Sequence, residues 1–192
     1  KYFIKGEGNY IIPYLLMIPA GRSDKALIYL HPSGKSAEAA AGGEMEWLVK
    51  HGFMVLAPDM IGTGEMGPGV FQGDAYIEGG SHNLWYASIL IDRSITGINA
   101  GDVAMLVRLI LKENPQSEIS GFARREMSPV LLHAAVLNPE IKCIVLNEPY
   151  SSYRSIVNCR FYNPFFIHST VFGALEKYDL PDLAASLAPR RL

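Results

Sequence analysis

One segment, residues 117–138, constrains the fold of this chain more than any other. Its sequence, SEISGFARREMSPVLLHAAVLN, predicts a short strand, a sharp turn that opens on Gly121, and a helix with apolar residues at helical spacing. A strand, a tight turn and a helix in succession are typical of a parallel sheet with helices on its faces. Ligands of such folds bind beyond the carboxyl ends of the strands, so this turn is a candidate site.

The flanking segments alternate in the same way. Residues 2–5 and 10–18 predict a hairpin, whose second strand is expected at a sheet edge because it contains Pro13. Continuous apolar runs predict strands that are covered on both faces. These strands span 26–30, 53–59 and 141–149, and helices are expected from Ser36 to about Lys50, over 84–93 and over 100–112. The order predicts an α/β fold, a doubly wound and mostly parallel sheet in a three-layer sandwich.

Composition limits the partners that the chain can have. At 192 residues one domain, residues 1–192, is the default. A net charge of −2 gives no basic field, so we expect no nucleic acid as partner, and the lack of 18 consecutive apolar residues predicts no membrane span. Cys143 and Cys159 have no metal-ligand spacing, and we expect neither a metal nor a cofactor. The first residues lack the apolar core of a signal peptide, although one could have been removed, so the compartment stays open.

Four loops leave the carboxyl ends of the predicted strands, at 31–34, 59–64, 121–125 and 147–149. Together with their flanks they resemble the α/β-hydrolases, and within them the acetyl xylan esterase-like branch. The resemblance covers most of residues 26–192 and is carried by IYLHPSGKSAE, VLAPDMIGTGE, DRSITGINAGDVAMLVRLI, the 121–125 turn, IVLNEPYSSYRSI and YDLPDLAASLAPRRL. It implies an ancestor that hydrolysed carbohydrate esters with a serine, a histidine and an acid, and a secreted or periplasmic location.

The residues of the turn depart from what that resemblance implies. In the family's G-x-S-x-G turn the serine is the nucleophile, and aligning its first glycine with Gly121 puts Ala123 at the serine and Arg125 at the second glycine. A methyl group cannot attack a carbonyl. Pro129 would fall inside the following helix, so Ser128 and Pro129 are expected to act as helix cap and first helical residue, which starts the helix later.

The remaining members of a catalytic set are equally incomplete. His31, Ser33 and Gly34 match the family's oxyanion loop, and Ser33 or Gly34 would have to donate because Pro32 has no amide; a plain strand-to-helix turn is the alternative. Glu148 stands where some hydrolases place the acid, or is a hydrogen-bonding loop residue. The usual acid and the later histidine have no counterpart before Leu192, so the chain is expected to lack the family's C-terminal strands and to be part of a longer protein.

Several other polar residues have simpler expected roles. His133 is interpreted as structural, whereas His168 is a weak candidate for the cleft. Asp59 is expected to fix its loop by accepting backbone amides, and Asp102 to lie early in its helix, at the positive end of the dipole. Arg124 and Arg125 could bind a carboxylate or a phosphate, or one of them could pair with Glu126.

Two nucleotide-binding motifs fail on their context. Residues 62–67 fit G-x-G-x-x-G after a strand, but Pro68, Gly69 and Gly73 should prevent the helix that a dinucleotide site needs. Gly34-Lys35-Ser36 resembles the end of a phosphate-binding loop whose first glycine would fall on Tyr29, so it is rejected. A nucleotide-binding doubly wound domain is therefore the third hypothesis.

Two functional hypotheses lead. In the first, the chain is a catalytically inactive α/β-hydrolase-like domain that binds a ligand such as a carbohydrate ester, or supports another domain of the same protein. In the second, it is part of an active serine esterase whose catalytic residues lie in another domain. Both depend on the same observation, which is that the predicted turn carries no nucleophile.

Overall fold

A computed structural model describes residues 1–21, 23–67, 73–74, 76–77 and 80–192. Its eight strands are β1 Tyr2–Lys5, β2 Ile11–Met17, β3 Lys25–Leu30, β4 Met54–Pro58, β5 Tyr76–Ile77, β6 Gly80–Ser81, β7 Glu118–Arg124 and β8 Ile141–Asn147. The α-helices are α1 Glu44–Lys50, α2 His82–Leu90, α3 Ile95–Glu113, α4 Ser128–Leu137, α5 Tyr153–Val157 and α6 Leu180–Ser186. Short 3₁₀ turns cover Gly64–Met66, Arg125–Met127, Pro164–Ser169 and Ala174–Glu176.

Six strands form one mixed sheet in the order β1-β2-β4-β3-β7-β8. The first two pairings are antiparallel, and β4, β3, β7 and β8 run parallel. Apolar side chains of the central strands point to both faces. One face packs against α3, α4 and α6 through residues such as Ile28, Leu106 and Leu131, and the other packs Tyr29 and Val55 under α1. The predicted three-layer α/β architecture is thereby confirmed.

The expectation that Pro13 marks an edge strand is wrong, because β2 lies between β1 and β4. The pairing of β2 with β4 begins at Tyr14, one residue after the proline. The Pro13 carbonyl still accepts the Asp59 amide at 2.8 Å. The missing amide of Pro13 therefore falls at the end of the β2–β4 ladder, where the loss of one hydrogen bond costs the least stability.

The predicted helix from Ser36 begins eight residues late, at Glu44. Residues 36–43 form turns instead, and Gly42 takes a left-handed φ of 82° that ends any helix before it. In contrast α3 begins five residues early, at Ile95, with Ser94 as its cap. Asp102 therefore lies in the middle of α3, and the expectation that it faces the positive end of the dipole is wrong.

In its described residues, the glycine-rich stretch 60–82 forms a 3₁₀ turn and the small β5–β6 ribbon. Pro68 and Gly69, which are expected to prevent a helix after the G-x-G-x-x-G motif, lie outside the described residues. Within the described ranges no single helix is long and apolar enough to cross a membrane. The pair α2 and α3, which is bent by 81°, meets the requirement when the two helices are taken together, by length and composition alone.

Candidate functional site

The turn after β7 comes later than predicted. Strand β7 continues through Gly121 and Ala123 to Arg124, because it pairs with β3 on one side and β8 on the other as far as Leu30 and Asn147. Ala123 is fully buried inside the strand. Arg125 then adopts a φ of 46°, which is the left-handed region that few non-glycine residues enter. The predicted turn at Gly121 is thus wrong, and the residue at the apex of the strand-turn-helix is Arg125.

Gly121 has a packing role rather than a turning role. A Cβ atom built on it would lie 2.5 Å from Cδ1 of Leu131 on α4, closer than any real contact allows. Glycine at this position lets α4 approach the middle of β7. A larger residue would force either the Leu131 side chain or α4 itself to move.

The start of α4 confirms a delayed and remodelled turn, but not the predicted cap. A 3₁₀ turn, Arg125–Met127, precedes the helix, and Ser128 already has helical angles, with φ −62° and ψ −44°. Ser128 is therefore the first helical residue, and Pro129 lies in the first turn, where a missing amide costs no hydrogen bond. Among the described residues the buried Ser128 Oγ has no hydrogen-bond partner.

Both arginines of the turn are paired with carboxylates. Nε of Arg125 donates to Oε2 of Glu148 at 2.7 Å, and Glu148 itself has a φ of 52° at the end of β8. Arg124 donates to Glu44 on α1 at 3.0 Å and lies over the ring of Phe122. The proposed pairing with Glu126 is replaced by these two contacts. Glu148 is therefore a hydrogen-bonding loop residue that pairs with the Arg125 guanidinium, and this ion pair raises the pKa of Arg125.

The loop after β3 uses its own amides. Ser33 donates its amide to Nδ1 of His31 at 3.1 Å, and Gly34 donates to the His31 carbonyl at 3.0 Å. These are the two amides that the resemblance assigned to an oxyanion hole. Both amides are engaged in hydrogen bonds inside the loop.

Asp59 fixes its own loop by accepting a backbone amide, as the sequence predicted, and it also holds the loop after β3, which the sequence did not predict. Its carboxylate is 1% exposed and accepts the amides of Lys35 at 2.7 Å and Glu65 at 2.9 Å. It also pairs with the buried ammonium of Lys35, which reaches Oε1 of Glu65 at 2.8 Å. Burial alone would lower the pKa of Lys35, but the two carboxylates outweigh it and raise that pKa.

Glycines complete the packing around this carboxylate. A Cβ atom on Gly34 or Gly64 would lie 2.4 Å or 2.1 Å from Oδ1 of Asp59. Sequence reasoning found Asp59 but missed Lys35, although a buried carboxylate beside a Gly-Lys pair in the neighbouring loop was the available signal. The position of the Lys35 ammonium agrees with the rejection of a phosphate-binding loop.

The two late histidines make structural contacts. Within α4, His133 bonds the Pro129 carbonyl at 2.7 Å and the Tyr178 hydroxyl at 2.8 Å. Nε2 of His168 lies 2.7 Å from the Ser81 carbonyl. Burial lowers the pKa of both rings. In the ranges that the structure covers, no group of three acidic, histidine or cysteine side chains has the geometry of a metal site.

A buried carboxylate, for which the sequence predicted only a helix-dipole role, lies under the β1–β2 hairpin. Asp102 is 1% exposed, and its Oδ1 accepts the Tyr10 hydroxyl at 2.6 Å. Oδ2 has no hydrogen-bond partner among the described residues. Burial raises the pKa of Asp102 to about 6, and the nearby Glu7 adds to the shift.

Comparison with known proteins identifies the fold of this chain. No model of a protein family and no curated protein matches the sequence. Among solved structures, the chain is similar to a Bacteroides fragilis protein whose acetyl xylan esterase activity is assigned by inference, at 16% identity and a TM-score of 0.70, over 98% of this chain and 56% of that one.

Two further esterases show the same likeness. A cold-adapted esterase from an Arctic intertidal metagenomic library is 18% identical, with a TM-score of 0.56, over 76% of this chain and 58% of that one. An esterase of Pyrococcus furiosus is 22% identical, with a TM-score of 0.54, over 77% and 51% of the two chains. This chain thus spans little more than half of each of these three structures. Its sheet order, layers and structural neighbours show that it has the α/β-hydrolase fold found in esterases.

Proposed function

We propose that this chain is a non-catalytic α/β-hydrolase-fold domain that binds a ligand or supports another domain of the same protein. The observation that carries the proposal is the identity of the apex residue. Arg125 occupies the left-handed turn after β7, and its guanidinium is bound to Glu148. A protonated guanidinium does not act as an acyl-forming nucleophile.

The surroundings of Arg125 support the same proposal. The nearest hydroxyl in the sequence, that of Ser128, is 2% exposed and faces no hydrogen-bond partner in the described part of the chain. The ring nitrogens of His133 bond the Pro129 carbonyl and the Tyr178 hydroxyl, and Nε2 of His168 bonds the Ser81 carbonyl, so these nitrogens are engaged by groups other than the Ser128 hydroxyl. An activated serine needs both a base within reach and donors for the oxyanion, and the loop amides after β3 are already used.

Hydrolysis of 4-nitrophenyl acetate tests this proposal. We expect the wild-type chain to release nitrophenol at the rate of an Arg125→Ala variant, since Arg125 has no part in any turnover. We also expect Ala123→Ser and Arg125→Ser to stay inactive, because the first hydroxyl would be buried in β7 and the second would lack a base. If the wild type turns over the substrate and Glu148→Gln does not, the proposal is contradicted and the chain is an active esterase.

A further inference from the structure

A groove lies between the first turn of α2 and the segment that follows β8. Its volume is about 460 Å³, within the range of small-molecule sites. It is lined mainly by aromatic and aliphatic side chains. They include Trp85, Tyr162, Phe166 and Ile167, together with the polar residues His82 and Thr170.

Two polar side chains of the wall, Trp85 and Thr170, are paired with each other. Nε1 of Trp85 donates to the Thr170 hydroxyl at 2.9 Å, and that hydroxyl donates to the Ile167 carbonyl at 2.7 Å. Among the described lining residues none is an acid, a lysine or an arginine. A charged ligand would therefore lose its hydration with no carboxylate, ammonium or guanidinium group in this described lining to replace it.

Phe166 forms the buried part of the groove, and its ring is held by contact with another aromatic side chain. Phe166 is 8% exposed and packs edge-on against Tyr150 at 5.4 Å between ring centroids. Tyr162 meets the same ring edge-on at 6.5 Å and is half exposed, so it forms the outer wall. The rings of Trp85, Tyr162 and Phe166 line the groove, and three aromatic rings around one space favour a flat apolar ligand over a flexible one.

We propose that this groove binds a neutral, single-ring aromatic compound. The inference rests on the proposed binding function, for which it supplies the site and the ligand class. An acetylated sugar fits less well, because its many oxygens would need donors that the paired Trp85 and Thr170 do not offer. The groove reaches the candidate turn through Phe166 and Ser169, whose hydroxyl donates to the Glu126 carbonyl at 3.3 Å.

Fluorescence of Trp85 measures binding directly. The chain has two tryptophans, so a Trp47→Phe background leaves Trp85 as the reporter. We expect methyl benzoate to change its emission saturably, and benzoate, which has the same ring with a charge, to bind at least about tenfold more weakly. Tetra-acetylated xylose is the sugar probe, and no saturable change is expected with it.

Matched tyrosines identify the site. Tyr162→Ala should weaken methyl benzoate about fivefold, whereas Tyr2→Ala, a tyrosine of equal exposure on β1, should leave its affinity within about twofold of the parent. Equal weakening in both, no saturation with methyl benzoate, or tighter binding of the acetylated sugar would overturn the assignment. Chromatography of the same mixtures separates the two proposals, because formation of benzoate would contradict the non-catalytic function while leaving the groove assignment intact.

Discussion

Two ion pairs lie at the carboxyl edge of the same sheet, and they differ in burial. Lys35 and Asp59, in the loops after β3 and β4, have side chains that are 3% and 1% exposed. Arg125 and Glu148, after β7 and β8, are 64% and 62% exposed. The first pair is tied to backbone amides on both loops, whereas the second is joined by a single hydrogen bond between its own side chains. The loops after β3 and β4 are therefore held together by buried contacts. The turns after β7 and β8, where a catalytic residue would stand, are joined by an exposed ion pair instead.

Removing one member of the buried pair should have the largest effect. Asp59→Ala leaves the Lys35 ammonium without its buried partner and frees two amides, so we expect a loss of about 3–5 kcal/mol in the free energy of unfolding. Chemical denaturation measures it. Glu148→Ala is the matched control and should cost less than about 1 kcal/mol, since its partner remains in water. Similar losses in the two variants would break the comparison.

Asp102 is a second buried carboxylate, and it differs from Asp59 because its hydrogen bond comes from one neutral group, the Tyr10 hydroxyl. The pKa of Asp102 is about 6 in the folded chain, above its ordinary 3.8, so the folded state holds this proton more tightly than the unfolded state. The stability contributed by the protonated form is fully present below about pH 4 and is lost as the pH rises to about 6, by up to about 3 kcal/mol.

The variant Asp102→Asn keeps an oxygen for the Tyr10 hydroxyl but has no charge to bury. We expect its free energy of unfolding, relative to the wild type, to rise between pH 4 and pH 7 by about 3 kcal/mol at most. Urea denaturation at a series of pH values gives this difference. Parallel curves for the two proteins would show that Asp102 does not titrate in this range.

Two glycines with the same backbone angle separate packing from strain. Gly34 has φ +87° and faces Asp59, whereas Gly8 has φ +89° and a Cβ atom placed on it would have no neighbour within 4 Å. Gly34→Ala should therefore cost about 2 kcal/mol more than Gly8→Ala. Thermal or chemical unfolding of both variants checks this, and equal losses would mean that the packing around Asp59 yields freely.

The smallest expected effect is at the apex. Arg125→Gly removes a weak surface ion pair and also relieves a left-handed non-glycine residue, so the two changes should nearly cancel and leave the midpoint of denaturation close to that of the wild type. Arg125→Ala, which keeps the strain but loses the pair, is the comparison variant. A much lower midpoint in Arg125→Gly would show that this side of the sheet edge is as constrained as the other.

The sequence predicted the layers of the fold well, because the apolar runs of β3, β4 and β8 must be covered on both faces. It placed the decisive turn wrongly, because a glycine at 121 was interpreted as a turn residue when it makes room for Leu131. Pairing of β7 with two neighbours, which extends the strand to Arg124, is a long-range effect that local residue patterns do not contain. Asp59 could be predicted from its position after a buried strand, but its partner Lys35 depended on how two loops meet.

The central claim is that no side chain at the apex of the strand-turn-helix can form an acyl or phosphonyl bond. The most direct test exposes the wild-type chain to a serine-reactive fluorophosphonate and maps any adduct by peptide mass spectrometry. We expect residues 121–128 to remain unmodified, with Arg125 at the apex and Ser128 buried. A stoichiometric adduct on Ser128 would contradict the account.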